Sequence, residues 1–145
     1  MIVARNIRQS VFDTLCSGIK ANAEPTVIFT AGAPANGKSE TVNHLLSQRP
    51  ETVHIDPDEF GGLFPYYDGV NASDYQKPCT HVMSHCFKQA IRGSFDLIHD
   101  TNFAHAETAV RNISEALKKG ILSRLCMSIW IRLPHGNMHS GANAK

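Results

Sequence analysis

The chain has 145 residues, with 14 Lys and Arg against 13 Asp and Glu, for a formal net charge of +1. That length suits one domain, and 42% hydrophobic against 19% charged residues is the balance of a globular fold rather than a disordered one. The even charge argues against a dedicated nucleic-acid surface or a polybasic membrane anchor. The opening MIVARNIRQS is too polar for a secretory signal, and no apolar run of about 18 residues reads as a membrane span.

Ile7, Val11, Phe12, Leu15 and Ile19 recur at helical spacing and predict an amphipathic helix over about residues 6–21. ANAEP breaks it, and TVIFTA at 26–31 is a short β-branched run suited to a strand covered on both faces. The turn GAPANG follows, then a helix from Lys38 through Val42, Leu45 and Leu46 that Pro50 ends. TVHI at 52–55 is a second strand, closed by the polar IDPDEF. Residues 61–73 carry three Gly, one Pro and several aromatics without periodicity, and read as a mobile loop.

A long helical stripe runs from Tyr75 to Ile91, with Pro78 near its first turn. FDLIH at 95–99 is the third strand, and Ala109 to Leu117 form the next helix, capped by Gly120. LCMSIWIRL at 125–133 is the fourth strand. Strands alternating with helices imply right-handed crossovers, hence a three-layer α/β domain with a mainly parallel sheet. The domain spans residues 1–134, and PHGNMHSGANAK, with one Met as its only sizeable apolar side chain, leaves 135–145 as a disordered tail.

Cys16, Cys79, Cys86 and Cys126 form no C-x-x-C pair and no zinc spacing. They read as small buried hydrophobes in a reducing compartment, and the cytoplasm is the expected location.

Gly32-Ala33-Pro34-Ala35-Asn36-Gly37-Lys38-Ser39 fits G-x-x-x-x-G-K-[ST] in full, with a predicted strand before it and a helix after it. Glycines let successive N–H groups face one anion, and the helix N-terminus adds its partial positive charge. The expected nucleotide-binding set is these eight residues with Glu40. Lys38 neutralises the β- and γ-phosphates, and Ser39 ligates Mg²⁺.

Asp56-Pro57-Asp58 follows the second strand, at the end where parallel sheets bind ligands. In a kinase, one carboxylate helps hold Mg²⁺ or its waters, and the other accepts the proton of an attacking hydroxyl. Asp56 is the candidate for the first role and Asp58 for the second. An Asx cap opening a short helix at Pro57 is the alternative. Asp100 ends the third strand in LIHDTN, either beside the Mg²⁺ water shell or as a cap shared with Thr101 or Asn102.

Over roughly residues 24–134 the chain resembles the zeta-toxin family of P-loop kinases. The resemblance rests on VIFTAGAPANGKSE, on VHIDPDEF, on the Pro78 helix running to AIRG, and on FDLIHDTNF with the helix ending KKG. It implies a kinase-like P-loop NTPase fold and Mg²⁺-assisted phosphoryl transfer from ATP or GTP to a sugar hydroxyl. The implied acceptor is a UDP-amino-sugar such as UDP-N-acetylglucosamine, and an antitoxin protein is the implied partner. Lys38 then matches the phosphate-binding lysine, Ser39 the Mg²⁺ ligand and Asp58 the catalytic aspartate. Asp100 falls at a substrate-site acid, and Asp56 and Thr101 join it as substrate-side candidates. Family members continue into a helical lid carrying two arginines. That lid begins about where PHGNMHSGANAK stands, so the expectation is a chain truncated at the lid, with Arg132 its last arginine.

Two other readings stay open. One is a polynucleotide or other small-molecule P-loop kinase; the other is a weakly catalytic nucleotide-binding core that acts through a protein partner. His54 and His99 lie in strands ahead of the acidic residues, packed in the core or reaching the cleft. His81 and His85, four apart, lack a third metal ligand at matching spacing. Phe64, Tyr66 and Tyr67 either stack on a base or pack on the core. Lys118, Lys119 and Arg124 read as a helix C-cap rather than a phosphate-backbone track.

Overall fold

The computed structural model of the chain describes residues 1–31, 37–100 and 106–127. In chain order the elements are α1 (Ile2–Leu15), β1 (Thr26–Ala31), α2 (Lys38–Gln48), β2 (Val53–Ile55), a 3-10 helix (Pro57–Leu63), α3 (Ala72–Arg92), β3 (Leu97–Asp100), α4 (Ala106–Lys118) and β4 (Leu122–Met127). The four strands form one parallel sheet in the order β2-β3-β1-β4. From β1 the chain crosses over β3 to reach β2, then reverses direction for β3 and β4. Right-handed crossovers running in opposite directions put their helices on opposite faces. Accordingly α2 packs on one face, and α3 and α4 pack on the other with α1.

Alternation along the strands divides the side chains between the two faces. Val27, Phe29, Val53, Ile55 and Leu97 join Val82, Cys86, Phe87 and Ala90 of α3 in the larger core. Ile28 and Ile98 turn the other way and meet Val42 of α2, with Leu45 and Leu46 against them. Each large apolar side chain fully enclosed this way contributes about 1.5–3 kcal/mol. Cys86 lies inside the larger core, where burial pushes its thiol up to about 12, and Cys16 at the end of α1 is raised to about 11, chiefly by the same cause.

Several boundaries differ from the sequence expectation. α1 ends at Leu15, because Gly18 turns the chain with φ 77° while Ile19 still packs on the core. β4 starts at Leu122, directly after the left-handed Gly120 (φ 72°), and pairs with β1 from Thr26↔Leu122 to Ala31↔Met127. The polar Ser123 and Arg124 hid that start from a search for apolar runs. Pro78 lies one turn deeper in α3 than expected, since the helix begins at Ala72.

The segment expected as a mobile loop is largely built. It opens with the 3-10 helix, then buries Phe64, whose ring stands 5.6 Å from that of Tyr75. Tyr67 meets Tyr75 edge to face, and Tyr75 Oη donates to the Pro65 carbonyl at 2.7 Å. Tyr67 also covers Gly61, where no Cβ would fit. Among the described residues no helix is long and apolar enough to cross a membrane. The expected tail, 135–145, lies outside the described residues.

Candidate functional site

The polar residues of interest gather where the strands end. The β2–β3 register pairs His54 with Ile98 and Ile55 with His99, so Asp56 comes level with Asp100. Period-two alternation then sets His54, Asp56 and Asp100 on the face that carries α2. One donor atom from each of these three side chains lies within 4.8 Å of the other two. β1 supplies Thr30, which is level with Asp100 and donates from Oγ1 to Asp100 Oδ1 at 2.7 Å.

Lys38 opens α2 and reaches the same oxygen, with Nζ 3.0 Å from Asp100 Oδ1. Asp100 is 3% exposed, and a carboxylate so enclosed needs compensation of this kind. Gly37 makes the turn into α2 with φ 71°, a left-handed conformation that suits glycine. Its carbonyl accepts from both Thr41 N at 3.1 Å and Thr41 Oγ1 at 3.0 Å. Ser39 and Glu40 follow, both exposed, with Glu40 favourably placed against the positive end of the helix.

Asp56 caps the 3-10 helix: its Oδ1 accepts from Asp58 N at 2.9 Å, with Pro57 in the first turn. The carboxylate of Asp58 stands outside the His54–Asp56–Asp100 group and is exposed. Its charge adds to burial in raising the thiol of Cys79 on α3. Thus Lys38, Asp56 and Asp100 come together, with Asp58 beside them at the start of the 3-10 helix. Gly32, Ala33, Pro34, Ala35, Asn36 and Thr101 lie outside the described residues.

The two strand histidines part ways. His99 faces the larger core between the rings of Phe29 and Phe87, at 5.7 and 5.2 Å, with Nε2 3.3 Å from Asn112 Nδ2. Burial lowers its pKa to about 4, so it is neutral. His54, one residue out of phase with that pattern, joins the carboxylates. Counting in twos back from Asp56 finds it in the sequence; the hydroxyl of Thr30 carries no such signal, because only the β1–β3 register brings it to Asp100.

His81 and His85 belong to the α1–α3 seam, with His81 Nε2 3.3 Å from Arg8 Nη1 and His85 Nε2 3.1 Å from Gln9 Oε1. Of the three loop aromatics, Phe64 and Tyr67 pack inward and Tyr66 stays 92% exposed. A cavity of about 670 Å³ opens at the amino-terminal ends of the strands, beside Glu24, Thr26, Arg92 and Lys119, at the opposite end from the carboxylates.

No curated protein sequence matches the chain. Among solved structures, the fold is similar to one from the PezAT chromosomal toxin-antitoxin system of the human pathogen Streptococcus pneumoniae. That match has a TM-score of 0.78 at 16% identity, over 86% of this chain and 55% of the other. A structure of AvrRxo1-ORF1:-ORF2 with ATP matches with a TM-score of 0.63 at 14% identity, over 88% of this chain and 46% of that one. The Pnkp1/Rnl/Hen1 complex contains a further similar chain, with a TM-score of 0.58 at 12% identity, over 86% of this chain and 45% of that one. At such identities the likeness is one of fold, and this chain spans about half the length of the structures it matches. The sequence profile of the Zeta toxin family matches residues 11–127, from within α1 to the end of β4, and the chain therefore belongs to that family.

Proposed function

We propose that the chain is a P-loop phosphotransferase that moves the γ-phosphoryl group of ATP or GTP to a hydroxyl of a UDP-amino-sugar. The observation that carries the reading is the Lys38–Asp100 pair at the head of α2, in a chain of this family. A lysine held 3.0 Å from a carboxylate at the strand ends supports the reading, because phosphates bind at such ends beside a P-loop. Arriving phosphates compete with Asp100 for Lys38, which then offsets their charge.

Asp58 takes the proton of the acceptor hydroxyl. The freed oxygen attacks the γ-phosphorus, the bond from that phosphorus to the β–γ bridging oxygen breaks, and the nucleoside diphosphate leaves with the electron pair. Asp100 and Thr101 orient the acceptor, and residues 32–40 hold the donor. The available oxygen donors suit Mg²⁺: Ser39 presents an exposed hydroxyl, and the described bond to Asp56 uses only Oδ1. Ser39 and Asp56 would hold it, where it offsets charge on the β- and γ-oxygens. An antitoxin is the proposed protein partner, in keeping with the toxin-antitoxin system of the similar pneumococcal structure.

The test is phosphoryl transfer from labelled ATP or GTP to UDP-N-acetylglucosamine. Transfer should depend on the sugar nucleotide and fall by at least about 10²-fold in Asp58→Asn and in Lys38→Ala. Transfer to a 5′-hydroxyl oligonucleotide instead would move the chain to the polynucleotide kinases. Nucleotide binding with no transfer to any acceptor would leave a core acting through its partner.

A further inference from the structure

We propose that His54, Asp56 and Asp100 form a mixed imidazole–carboxylate site for a first-row transition dication, with Zn²⁺ preferred over Mg²⁺. Three observations carry it. The three side chains come from two neighbouring strand ends and share the α2 face, and one donor atom from each lies within 4.8 Å of the other two. Donors bound to one ion at about 2.1 Å stand roughly 3–4 Å apart, so small side-chain rotations close the set. The Nε2 atom of His54 is fully enclosed and has no hydrogen-bond partner among the described residues. An enclosed ring nitrogen without a partner is costly to keep unless something occupies the space before it.

The charge is also right. Among the described residues, two carboxylates against one ammonium, Lys38, leave the cluster negative before any ion enters. The described bonds to both carboxylates use Oδ1: Asp58 N on Asp56, and Thr30 and Lys38 on Asp100. None of these bonds takes the second oxygen of either carboxylate. Magnesium favours all-oxygen surroundings, whereas an imidazole nitrogen shifts preference towards zinc and its neighbours. Three protein ligands would leave a fourth position for water or a phosphate oxygen.

This site shares Asp56 with the Mg²⁺ placement proposed above, but binding of the metal alone tests it without any turnover. The full 145-residue chain, stripped of metal, is titrated with ZnCl₂ and with MgCl₂ in the absence of nucleotide. One equivalent of Zn²⁺ should bind at least about 100-fold tighter than Mg²⁺. His54→Ala should weaken Zn²⁺ by tenfold or more and Mg²⁺ by less than twofold, while His81→Ala changes neither. Zinc bound no tighter than magnesium, or bound equally by wild type and His54→Ala, overturns the proposal. Should His54→Ala fail to fold, the wild-type imidazole NMR signals decide. Those of His54 shift with substoichiometric Zn²⁺ if the site exists, and a shift confined to other histidines overturns it. Lost zinc binding with intact Mg²⁺-dependent transfer sinks this site alone; intact zinc binding without transfer sinks the kinase reading alone.

Discussion

Lys38 and Asp100 share one bond but not one environment. The side chain of Lys38 is 21% exposed and that of Asp100 is 4% exposed. Removing the lysine strands a buried carboxylate, while removing the carboxylate leaves an ammonium that can turn to water. Lys38→Met should therefore destabilise the fold by about 2–4 kcal/mol and Asp100→Asn by about 1 kcal/mol, the Thr30 hydroxyl keeping its acceptor in the latter. Urea unfolding of the two variants and the double variant measures this. The double variant should be more stable than Lys38→Met alone, and equal losses in the two single variants would contradict the argument.

At the scale of elements, the α1–α3 seam holds a pH response. His81 is lowered from its ordinary pKa by burial first, then by Arg8, Arg5 and the terminal amino group of Met1. His85 is lowered by burial, Arg8, His81 and Arg92, with Asp13 opposing. A histidine with a depressed folded-state pKa takes its proton later than the unfolded chain does. Stability is therefore retained above about pH 6.5 and declines as pH falls below it. Denaturant midpoints compared at pH 8 and pH 5.5 should show the decline, and Arg8→Gln should shrink it. A slope unchanged in His81→Gln/His85→Gln would place the response elsewhere.

The same scale shows what a sequence reader can see. TVIFTA is a strand at the expected residues, because six β-branched and apolar positions between two breakers leave little else. Lys38 opens its helix as the motif demands, and Pro57 follows an Asx cap. What escaped was tertiary in origin. The packing of Phe64, Tyr67 and Tyr75 depends on contacts between a short helix and α3, and no periodicity announces it. The start of β4 at Leu122 is set by pairing with β1, not by the hydropathy of Ser123 and Arg124. At the candidate site, the acidic residues stood out by type and spacing. The partner of Asp100 on β1 and the choice between His54 and His99 required the strand register.

For the whole molecule, the unequal burial of the helices matters most. Six side chains of α3, from Val82 to Ile91, are buried, whereas α2 buries Val42 alone. So little burial of its own side chains predicts a low free energy of local opening for α2. Amides of α2 should exchange with deuterium well before those of α3, and saturating nucleotide should slow α2 by more than any other helix. Exchange of α2 at the rate of α3 in the free chain would contradict this. The carboxylate that steadies Lys38 thus acquires a second meaning. If phosphates bind there as proposed, one strand-end anion holds their place on Lys38, and that charge ties to the sheet a helix of which Val42 alone is buried.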